Sequence, residues 1–313
     1  MPFFSIIIPL YNKGAHITST LESVNNQSYA DYEIILINDG STDDGMQKVN
    51  TLRNPKLKIY NRTNKGVSQA RNFAMQQASG RYLAFLDADD LWHEHHLKDL
   101  HKLILSYQDC GFYATNYVFA YGNDFMVKPD FPTLPKENNW SGVVPDYFLA
   151  SLKFRIAWTS AIAIPRNTIN TIGFFDENIT LGAGEDTDYW ARIALENSVA
   201  FTKNISVTYN ISANNRISNI STKKRKFMKL NKFYEEEKIN LSLKKFNDMY
   251  RAELAIKHKI IGDYDQFYFY ITNLNLNNIT WKKRLLLNCP GIILRPLWKI
   301  KQWLKTNKID IHS

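Results

Sequence analysis

Four short apolar runs near the amino terminus constrain the fold of this chain more than any other feature. Each run is almost continuously apolar or β-branched and stops abruptly at polar residues: Phe3–Pro9, Glu33–Ile37, Leu57–Tyr60 and Tyr82–Leu86. This pattern is typical of strands that are buried on both faces of a mainly parallel sheet. Segments of helical character, such as Val67–Ala78, lie between the runs. The alternation predicts a doubly wound α/β layer.

Length and composition suggest the domain organisation. With 313 residues, of which 44% are apolar, the chain can bury one large α/β core and retain about a hundred further residues. We predict an α/β domain over residues 1–220, with a first half at 1–105 and a second half at 106–220. Residues 221–313 carry apolar side chains at helical spacings between charges, which predicts a mainly helical extension.

The amino-terminal residues and the cysteines indicate a cytoplasmic protein. The segment "MPFFSIIIPLYN" has no basic stretch and no small-residue cleavage site, and no apolar run approaches the ~20 residues of a membrane-spanning helix. We therefore expect a first strand there. Cys110 and Cys289 are far apart and lack Cys or His neighbours at zinc-ligand spacing. We expect both to be reduced thiols.

Positive charge is concentrated in the carboxyl-terminal part of the chain. Residues 223–313 hold 20 Lys and Arg against 8 Asp and Glu, whereas residues 1–222 hold 19 against 22. A basic extension favours acidic partners, either anionic lipid or nucleic acid. No nucleic-acid-binding motif is present, so we do not expect a nucleic-acid partner.

Polar residues that end the apolar runs are the first candidates for a binding site. Ligands of open α/β sheets bind beyond the carboxyl ends of the strands. Pro9 and Tyr11 follow the first run, and Tyr11 can stack on a nucleotide base or be an ordinary aromatic residue. Asp39 follows the second run, where it either forms a tight turn with Gly40 or hydrogen-bonds a base or ribose.

Three aspartates in "DADD" follow the fourth run. A departing diphosphate is stabilised most simply by a divalent ion, and Mg²⁺ or Mn²⁺ takes one or two protein carboxylates in addition to phosphates and waters. In extended chain, Asp87 and Asp89 lie on the same side. We assign Asp89 to the metal and Asp87 to the ribose or the metal. Acidic residues after a strand also cap helices, and we expect Asp90 to cap a helix from Leu91 onward.

Two helical segments supply further candidates. In "NKGVSQARN", Lys65 and Arg71 either face solvent or approach the nucleotide. In "GEDTDYW", an acidic cluster opens a helix, which is the pattern of helix capping. Displacement at an anomeric carbon also needs a base for the acceptor hydroxyl, and Asp186 is our candidate. The supporting residues in this segment are Glu185, Asp188 and Trp190.

The ordered set "SIIIPLYNK", "INDGSTDD", "NKGVSQARN", "FLDADD" and "GEDTDYWARIA" resembles the family 2 glycosyltransferases, a large inverting group with the GT-A fold. The resemblance spans about residues 3–220. It implies that nucleotide-binding residues, a DXD motif and a catalytic aspartate match, in that order, Pro9, Tyr11, Asp39 and Arg71, then Asp87 and Asp89, then Asp186. "ISANNRISNIS" resembles a loop that closes over the diphosphate, with Arg216 near phosphate.

The resemblance also implies an activity. We expect a Mn²⁺- or Mg²⁺-assisted single displacement with inversion, from a nucleotide-diphosphate sugar donor such as a UDP-hexose or UDP-N-acetylhexosamine. The expected acceptor is a glycan or a lipid-linked oligosaccharide in bacterial surface-polysaccharide synthesis, of lipopolysaccharide or capsule type. The expected location is the cytoplasm or the inner face of the cell membrane.

Other functional classes fit the sequence less well. A nucleotidyltransferase needs a glycine-rich phosphate loop after the first strand, and a dinucleotide-dependent oxidoreductase needs G-x-G-x-x-G, but the chain has "PLYNKGAH". The non-enzymatic alternative is a membrane-associated scaffold or glycan-binding module that uses the basic extension. It predicts that Asp89 and Asp186 can be replaced without loss of glycan synthesis.

Two further features each allow two interpretations. The histidines after "DADD" have spacings that can bind zinc, but they form no complete ligand set and we expect solvated helix residues: His93, His95, His96 and His101. The last helical segment has an apolar face with flanking tryptophans: Ile293, Leu297, Ile300 and Leu304, with Trp298 and Trp303. Such a helix either packs on the α/β domain or lies on a membrane surface.

Overall fold

The computed structural model describes residues 1–52, 54–122, 125–213 and 221–306, with the side chains of Lys299 and of 301–306 excluded. The chain forms two compact units. The first comprises residues 1–220 and 225–228, and the second comprises 221–224 and 229–313.

The first unit alternates strands with helices. Its strands are β1 (Phe4–Leu10), β2 (Tyr32–Asp39), β3 (Leu57–Arg62), β4 (Tyr82–Phe85), β5 (Leu91–Trp92), β6 (Phe112–Tyr121), β7 (Phe125–Val127), β8 (Ser141–Val143), β9 (Ile162–Pro165) and β10 (Val199–Asn210). Its helices are α1 (Ile17–Asn25), α2 (Gly45–Thr51), α3 (Val67–Gln77), α4 (His96–Ser106), α5 (Tyr147–Ala150), α6 (Thr168–Thr171) and α7 (Glu185–Glu196). The predicted α/β class is confirmed.

All ten strands of the first unit lie in one sheet of order β3-β2-β1-β4-β9-β6-β10-β5, with β7 paired to β6 and β8 paired to β10. The first four strands are parallel, and β6 and β10 form another parallel pair. The strand β9 runs antiparallel between β4 and β6. A parallel half, formed by β3, β2, β1 and β4, is therefore joined to a mixed half.

The middle strands are buried because their apolar side chains face helices on both sides of the sheet. Ile6, Ile7 and Ile8 are fully buried, and Ile7 pairs with Ile35 on one side and Phe85 on the other. The run in β3 does not follow this pattern. It forms the sheet edge and is only partly buried, so the prediction of burial on both faces was wrong for this strand.

The parallel order brings the carboxyl ends of β1, β2 and β4 to one edge of the sheet. The loops that follow β1 and β2 are joined there by hydrogen bonds. The Asn12 N–H donates to Ser41 Oγ at 3.1 Å, and the Gly14 N–H donates to Asp43 Oδ2 at 2.7 Å. These hydrogen bonds hold the two loops together at the edge of the sheet where the site residues are predicted.

The second unit is helical. It contains α8 (Tyr234–Ile239), α9 (Leu241–Ile261), α10 (Tyr264–Ile271), α11 (Trp281–Asn288) and α12 (Gly291–Thr306). No described helix is long and apolar enough to cross a membrane.

A buried ionic cluster joins α8 to α9. Arg251 Nη1 donates to Glu237 Oε2 at 2.9 Å and to Asp248 Oδ1 at 3.2 Å, and its Nη2 forms an ion pair with Glu237 Oε1 at 2.8 Å. Asp248 also accepts from Asn278 Nδ2 at 2.7 Å and from Lys244. The side chains of Arg251, Glu237 and Asp248 are at most 2% exposed. Charges so far from water need every partner, so this cluster fixes the helices relative to each other.

Candidate functional site

Asp39 fixes the loop that leads into α3. It is buried at the end of β2, and its Oδ1 and Oδ2 accept from the backbone N–H groups of Lys65 at 3.1 Å and Gly66 at 2.9 Å. Gly66 has a φ of 95°, a conformation that favours glycine, and it directly precedes α3. Contact of Asp39 with a base or ribose stays a prediction.

The "DADD" segment turns and is not extended. The Asp90 N–H donates to the Asp87 carbonyl at 3.1 Å, and Leu91–Trp92 forms β5 instead of a helix. Asp87 and Asp89 therefore do not lie along extended chain as predicted, and Asp90 does not cap a helix. Asp90 is fully buried and accepts from Ser160 Oγ and from the Asn210 N–H. Burial, together with the Asp89 and Asp87 carboxylates, raises the pKa of Asp90 well above its usual range.

Arg71 connects two acidic parts of the predicted site. Its Nη2 contacts Asp87 Oδ1 at 2.6 Å, and its Nη1 lies 3.7 Å from Glu185 Oε1. Arg71 is only 3% exposed, so a solvent-facing position on α3 is excluded. One guanidinium therefore holds the end of β4 beside the start of α7.

A second ion pair involves Asp89. The Lys13 Nζ lies 2.6 Å from Asp89 Oδ2, and both side chains are mostly buried. Lys13 was not among the predicted site residues, although its place four residues after the first apolar run was a usable signal. Both acidic residues of the predicted DXD motif thus contact a cation of the same chain.

The first turn of α7 carries the candidate base. Gly184 precedes the helix with a φ of 104°, which places the acidic residues directly after a left-handed residue. Asp186 is partly exposed, and its Oδ1 accepts from the Thr187 N–H at 2.6 Å. The Thr187 hydroxyl is in turn contacted by Arg155, another residue that the sequence analysis missed. Asp186 therefore sits at a fixed helix start with access to solvent.

Glu185 is buried beside Asp186. Burial and the Asp186 charge raise the pKa of Glu185 to about 7, although Arg71 acts in the opposite direction. The folded protein therefore holds a proton on Glu185 at pH values where the unfolded chain, with an ordinary carboxyl pKa near 4.5, has lost it.

This raised pKa predicts a pH-dependent stability. The contribution of Glu185 to the free energy of unfolding is greatest below about pH 4.5, where the residue is protonated in both states. This contribution is lost as the pH rises from about 4.5 through about 7, because the folded protein binds a proton there that the unfolded chain has released. We expect Glu185→Gln to remove this dependence and to raise the free energy of unfolding above pH 7 by about 3 kcal/mol relative to wild type. Chemical denaturation between pH 5 and 8 measures it. Glu196→Gln, at the exposed far end of α7, is the matched control. Parallel pH curves for wild type and Glu185→Gln would contradict the assignment.

The remaining predicted residues occupy different environments. Pro9 lies in β1, whereas Tyr11 and Lys65 are exposed at the carboxyl edge. Asp188 is fully buried, and Arg192, which contacts it at 3.1 Å, donates to the carbonyls of residues 172 and 174. Trp190 is 1% exposed and packs on Phe85 in the core. Asp188 and Trp190 therefore support α7 from inside, and Arg216 lies outside the described residues.

The histidines do not form a solvated cluster on a helix. His96 is fully buried, packs on Trp92 and bonds Ser206 Oγ at 2.8 Å, so its predicted exposure was wrong. His93 is partly buried and bonds Thr208 Oγ1 at 3.0 Å. These histidines join α4 and β5 to β10.

The residues at the sheet edge suit a divalent ion that arrives with a diphosphate. Within the described ranges, no three His, Cys, Asp or Glu side chains cluster to hold a metal ion by themselves. Asp89, with Asp87 nearby in the turn, offers hard carboxylate oxygens, and Mg²⁺ or Mn²⁺ needs only one or two of them when phosphates and waters complete the shell.

Known sequences give an independent comparison. The chain matches the family model described as glycosyl transferase family 2 over residues 5–172, more than half of its length. It is 31% identical over 218 residues to the Escherichia coli UDP-Glc:alpha-D-GlcNAc-diphosphoundecaprenol beta-1,3-glucosyltransferase WfaP, covering 67% of this chain and 77% of WfaP. It is 30% identical over 256 residues to an uncharacterized glycosyltransferase of Rickettsia bellii, covering 80% of this chain and 33% of that protein. The chain spans about a third of the length of the first curated relatives it matches.

Solved structures share the fold. Staphylococcus aureus TarS (residues 1–349), in complex with UDP-GlcNAc, superposes with a TM-score of 0.57 at 21% identity, covering 91% of this chain and 78% of that one. GalNAc-T7 with UDP, GalNAc and Mn²⁺ has a TM-score of 0.57 at 18% identity, covering 87% and 56%. These similarities confirm the predicted GT-A fold. The family match over residues 5–172 shows that the chain belongs to glycosyl transferase family 2.

Proposed function

We propose that this protein is an inverting glycosyltransferase that moves a hexose or N-acetylhexosamine from a UDP-linked donor to a hydroxyl of a glycan or lipid-linked acceptor. The observation that carries the proposal is the contact of Arg71 with both Asp87 and Glu185. It places the strand end expected to hold the donor beside the helix start that carries Asp186. Direct displacement needs the donor sugar and the base that activates the acceptor to be held close together.

Four residues form the nucleotide half of the proposed site. Tyr11 is exposed beside the braced loops and can stack on the base, and Pro9 shapes the same edge. The carboxylate of Asp39 and the loop it fixes at Lys65 face the base and ribose. The names of WfaP and of the TarS complex support UDP as the nucleotide, since they specify UDP-Glc and UDP-GlcNAc.

The diphosphate half of the site depends on Asp89. Asp89 would hold Mn²⁺ or Mg²⁺, with Asp87 at the ribose or the metal. A divalent ion bound there supplies charge stabilisation to the departing diphosphate. Arg71 holds Asp87 in place through a 2.6 Å contact, so the carboxylate does not need to reorganise when the donor binds.

Asp186 is proposed to accept the proton of the acceptor hydroxyl. It is the partly exposed member of the acidic cluster, whereas Glu185 and Asp188 are buried. The oxygen of the acceptor then attacks the anomeric carbon from the face opposite the diphosphate, which inverts the configuration. Thr187 orients the Asp186 carboxylate through its backbone N–H.

Donor turnover tests this proposal. We expect wild type to release UDP from one member of a panel of UDP-sugars, with a lipid-linked acceptor and Mn²⁺ or Mg²⁺ present. Asp89→Asn should lower this release by about a hundredfold or more, because removing one group that stabilises developing charge costs about that factor. Absence of release with every donor, or equal release by Asp89→Asn, would instead favour a scaffold or glycan-binding role.

We propose further that α12 rests on the anionic membrane surface where a lipid-linked acceptor is found. Leu294 is buried, but its apolar neighbours are exposed, including Ile292 at 80% and Leu297 at 51%. Ile293 and Ile300 are also about half exposed, and the surrounding extension is strongly basic. Exposed large apolar residues between cations are the pattern of an interfacial helix.

Vesicle binding tests the role of α12. We expect the protein to cosediment with vesicles that contain phosphatidylglycerol, and Ile293→Gln with Leu297→Gln to weaken this partition by at least about tenfold, given the apolar area lost. The matched control is Ile239→Gln with Leu241→Gln, since both residues are more exposed but lie outside α12. Equal loss in the two double variants would contradict a specific role of α12.

A further inference from the structure

Lys13 forms an ion pair with Asp89, the carboxylate that the proposed function assigns to a divalent ion. Its Nζ lies 2.6 Å from Asp89 Oδ2, and the two side chains are 12% and 14% exposed. The residues are 76 positions apart in the sequence, so only the folded sheet edge brings them together. The pair is therefore a property of the site and not of a local turn.

The backbone of Lys13 is fixed although its side chain is long. The Lys13 carbonyl accepts from the N–H groups of His16 and Ile17, both at 2.9 Å. Its neighbours Asn12 and Gly14 are braced by the loop after β2. A lysine ammonium on a flexible stem can move several ångströms while such a loop stays in place.

Arg71 is held in a different way. Its guanidinium contacts Asp87 and Glu185 together and its side chain is 4% exposed, so moving it would leave two carboxylates without their cation. The Lys13 ammonium is a compact charge with rotatable donors on a flexible stem, so its contact with Asp89 does not depend on the planar paired geometry of a guanidinium. The two cations of the site thus differ in how easily they can move.

We propose that Lys13 is an exchangeable cation for Asp89. It neutralises Asp89 while the donor site is empty, leaves this carboxylate when the donor and its divalent ion bind, and then contacts the diphosphate. The inference rests on the proposed function. Its electrostatic basis is that an ammonium beside Asp89 repels a dication at the same carboxylate, whereas a diphosphate brings negative charge within reach of the ammonium.

Metal affinity without nucleotide is the first measurement. Binding of Mn²⁺ to the full chain is followed by the electron paramagnetic resonance signal of free Mn²⁺. We expect Lys13→Gln to bind Mn²⁺ more tightly than wild type by on the order of tenfold, because the competing charge is gone. Asp89→Asn should lose this binding.

Lys48→Gln is the matched control. Lys48 pairs with Asp44 at 2.9 Å and donates to the Gly14 carbonyl at 2.8 Å, so its replacement removes one positive charge near the same loop without touching Asp89. We expect its Mn²⁺ affinity to equal that of wild type. If Lys48→Gln and Lys13→Gln gained the same Mn²⁺ affinity, the gain would come from the change in net charge, and the proposed exchange would be refuted.

Nucleotide affinity is the second measurement. With Mg²⁺ present, Lys13→Gln should bind UDP about tenfold more weakly than wild type in calorimetry, because a charged contact to the diphosphate is lost. Uridine, which has no diphosphate, should bind both proteins equally. Equal or weaker Mn²⁺ binding by Lys13→Gln would mean that Lys13 only orients Asp89, and the exchange would be refuted while the proposed function survived. If wild type bound Mn²⁺ neither alone nor with UDP, both proposals would fail.

Discussion

Asp186→Asn is expected to lower kcat for sugar transfer by about three orders of magnitude, within the range that a positioned general base contributes. Asparagine keeps the Oδ1 acceptor for the Thr187 N–H but cannot take a proton from the acceptor hydroxyl. Affinity for the donor should therefore stay at the wild-type value. The measurement pairs UDP release, with acceptor present, with calorimetric binding of the same donor.

The control for this variant is Asp44→Asn. Asp44 directly precedes α2, and its side chain is more than half exposed. Its replacement by Asn makes the same change of charge at a residue outside the proposed site. We expect its turnover to equal that of wild type. If Asp186→Asn retained full turnover, another residue would be the base. If Asp89→Asn were fully active as well, the catalytic assignment of the whole edge would be wrong.

Arg251→Met is expected to destabilise the protein by about 3–5 kcal/mol, the cost of removing one partner from a buried ionic cluster. Arg251 supplies two contacts to Glu237 and one to Asp248, and both carboxylates are almost fully buried. Methionine has a similar length but leaves these charges without their guanidinium. Denaturant unfolding, followed by a probe of the helical unit, measures the loss.

Lys238→Met provides the comparison for Arg251→Met. Lys238 pairs with Glu235 on the same short helix α8, but both side chains are more than half exposed. Its replacement should leave the unfolding midpoint unchanged within error, because exposed pairs contribute little. A small effect of Arg251→Met would show that the cluster is redundant, with Lys244 and Asn247 able to compensate.

The parallel half of the fold was predictable because its information is local. Continuous apolar runs mark buried strands, and the rule that ligands bind at strand ends located Asp39, Asp87 and Asp89 at one edge. A solvated edge strand has the same apolar content over a few residues, so the partial burial of β3 was not visible in its sequence.

The details of the site depend on residues that are distant in sequence. Asp90 turns inward because Ser160 and Asn210 supply its partners, 70 and 120 positions away. His96 is buried because Trp92 and Ser206 surround it. The spacing of residues within "DADDLWHEHH" predicts neither the inward turn of Asp90 nor the burial of His96. Arg71 was recognised as a candidate, but its bridging position required a second acidic partner, Glu185, from another helix.

The short segment 225–228 has a practical consequence for anyone who divides this chain. Although the basic extension begins before it, the segment packs back on the loop that precedes α7. The Met228 N–H donates to the Ala183 carbonyl at 3.2 Å, Lys226 bonds Thr180, and Arg225 donates to the Gly182 carbonyl. A truncation or chimera with its boundary at residue 220 would separate residues 225–228 from the loop that leads to Gly184. A boundary after Met228 keeps the segment and the loop together.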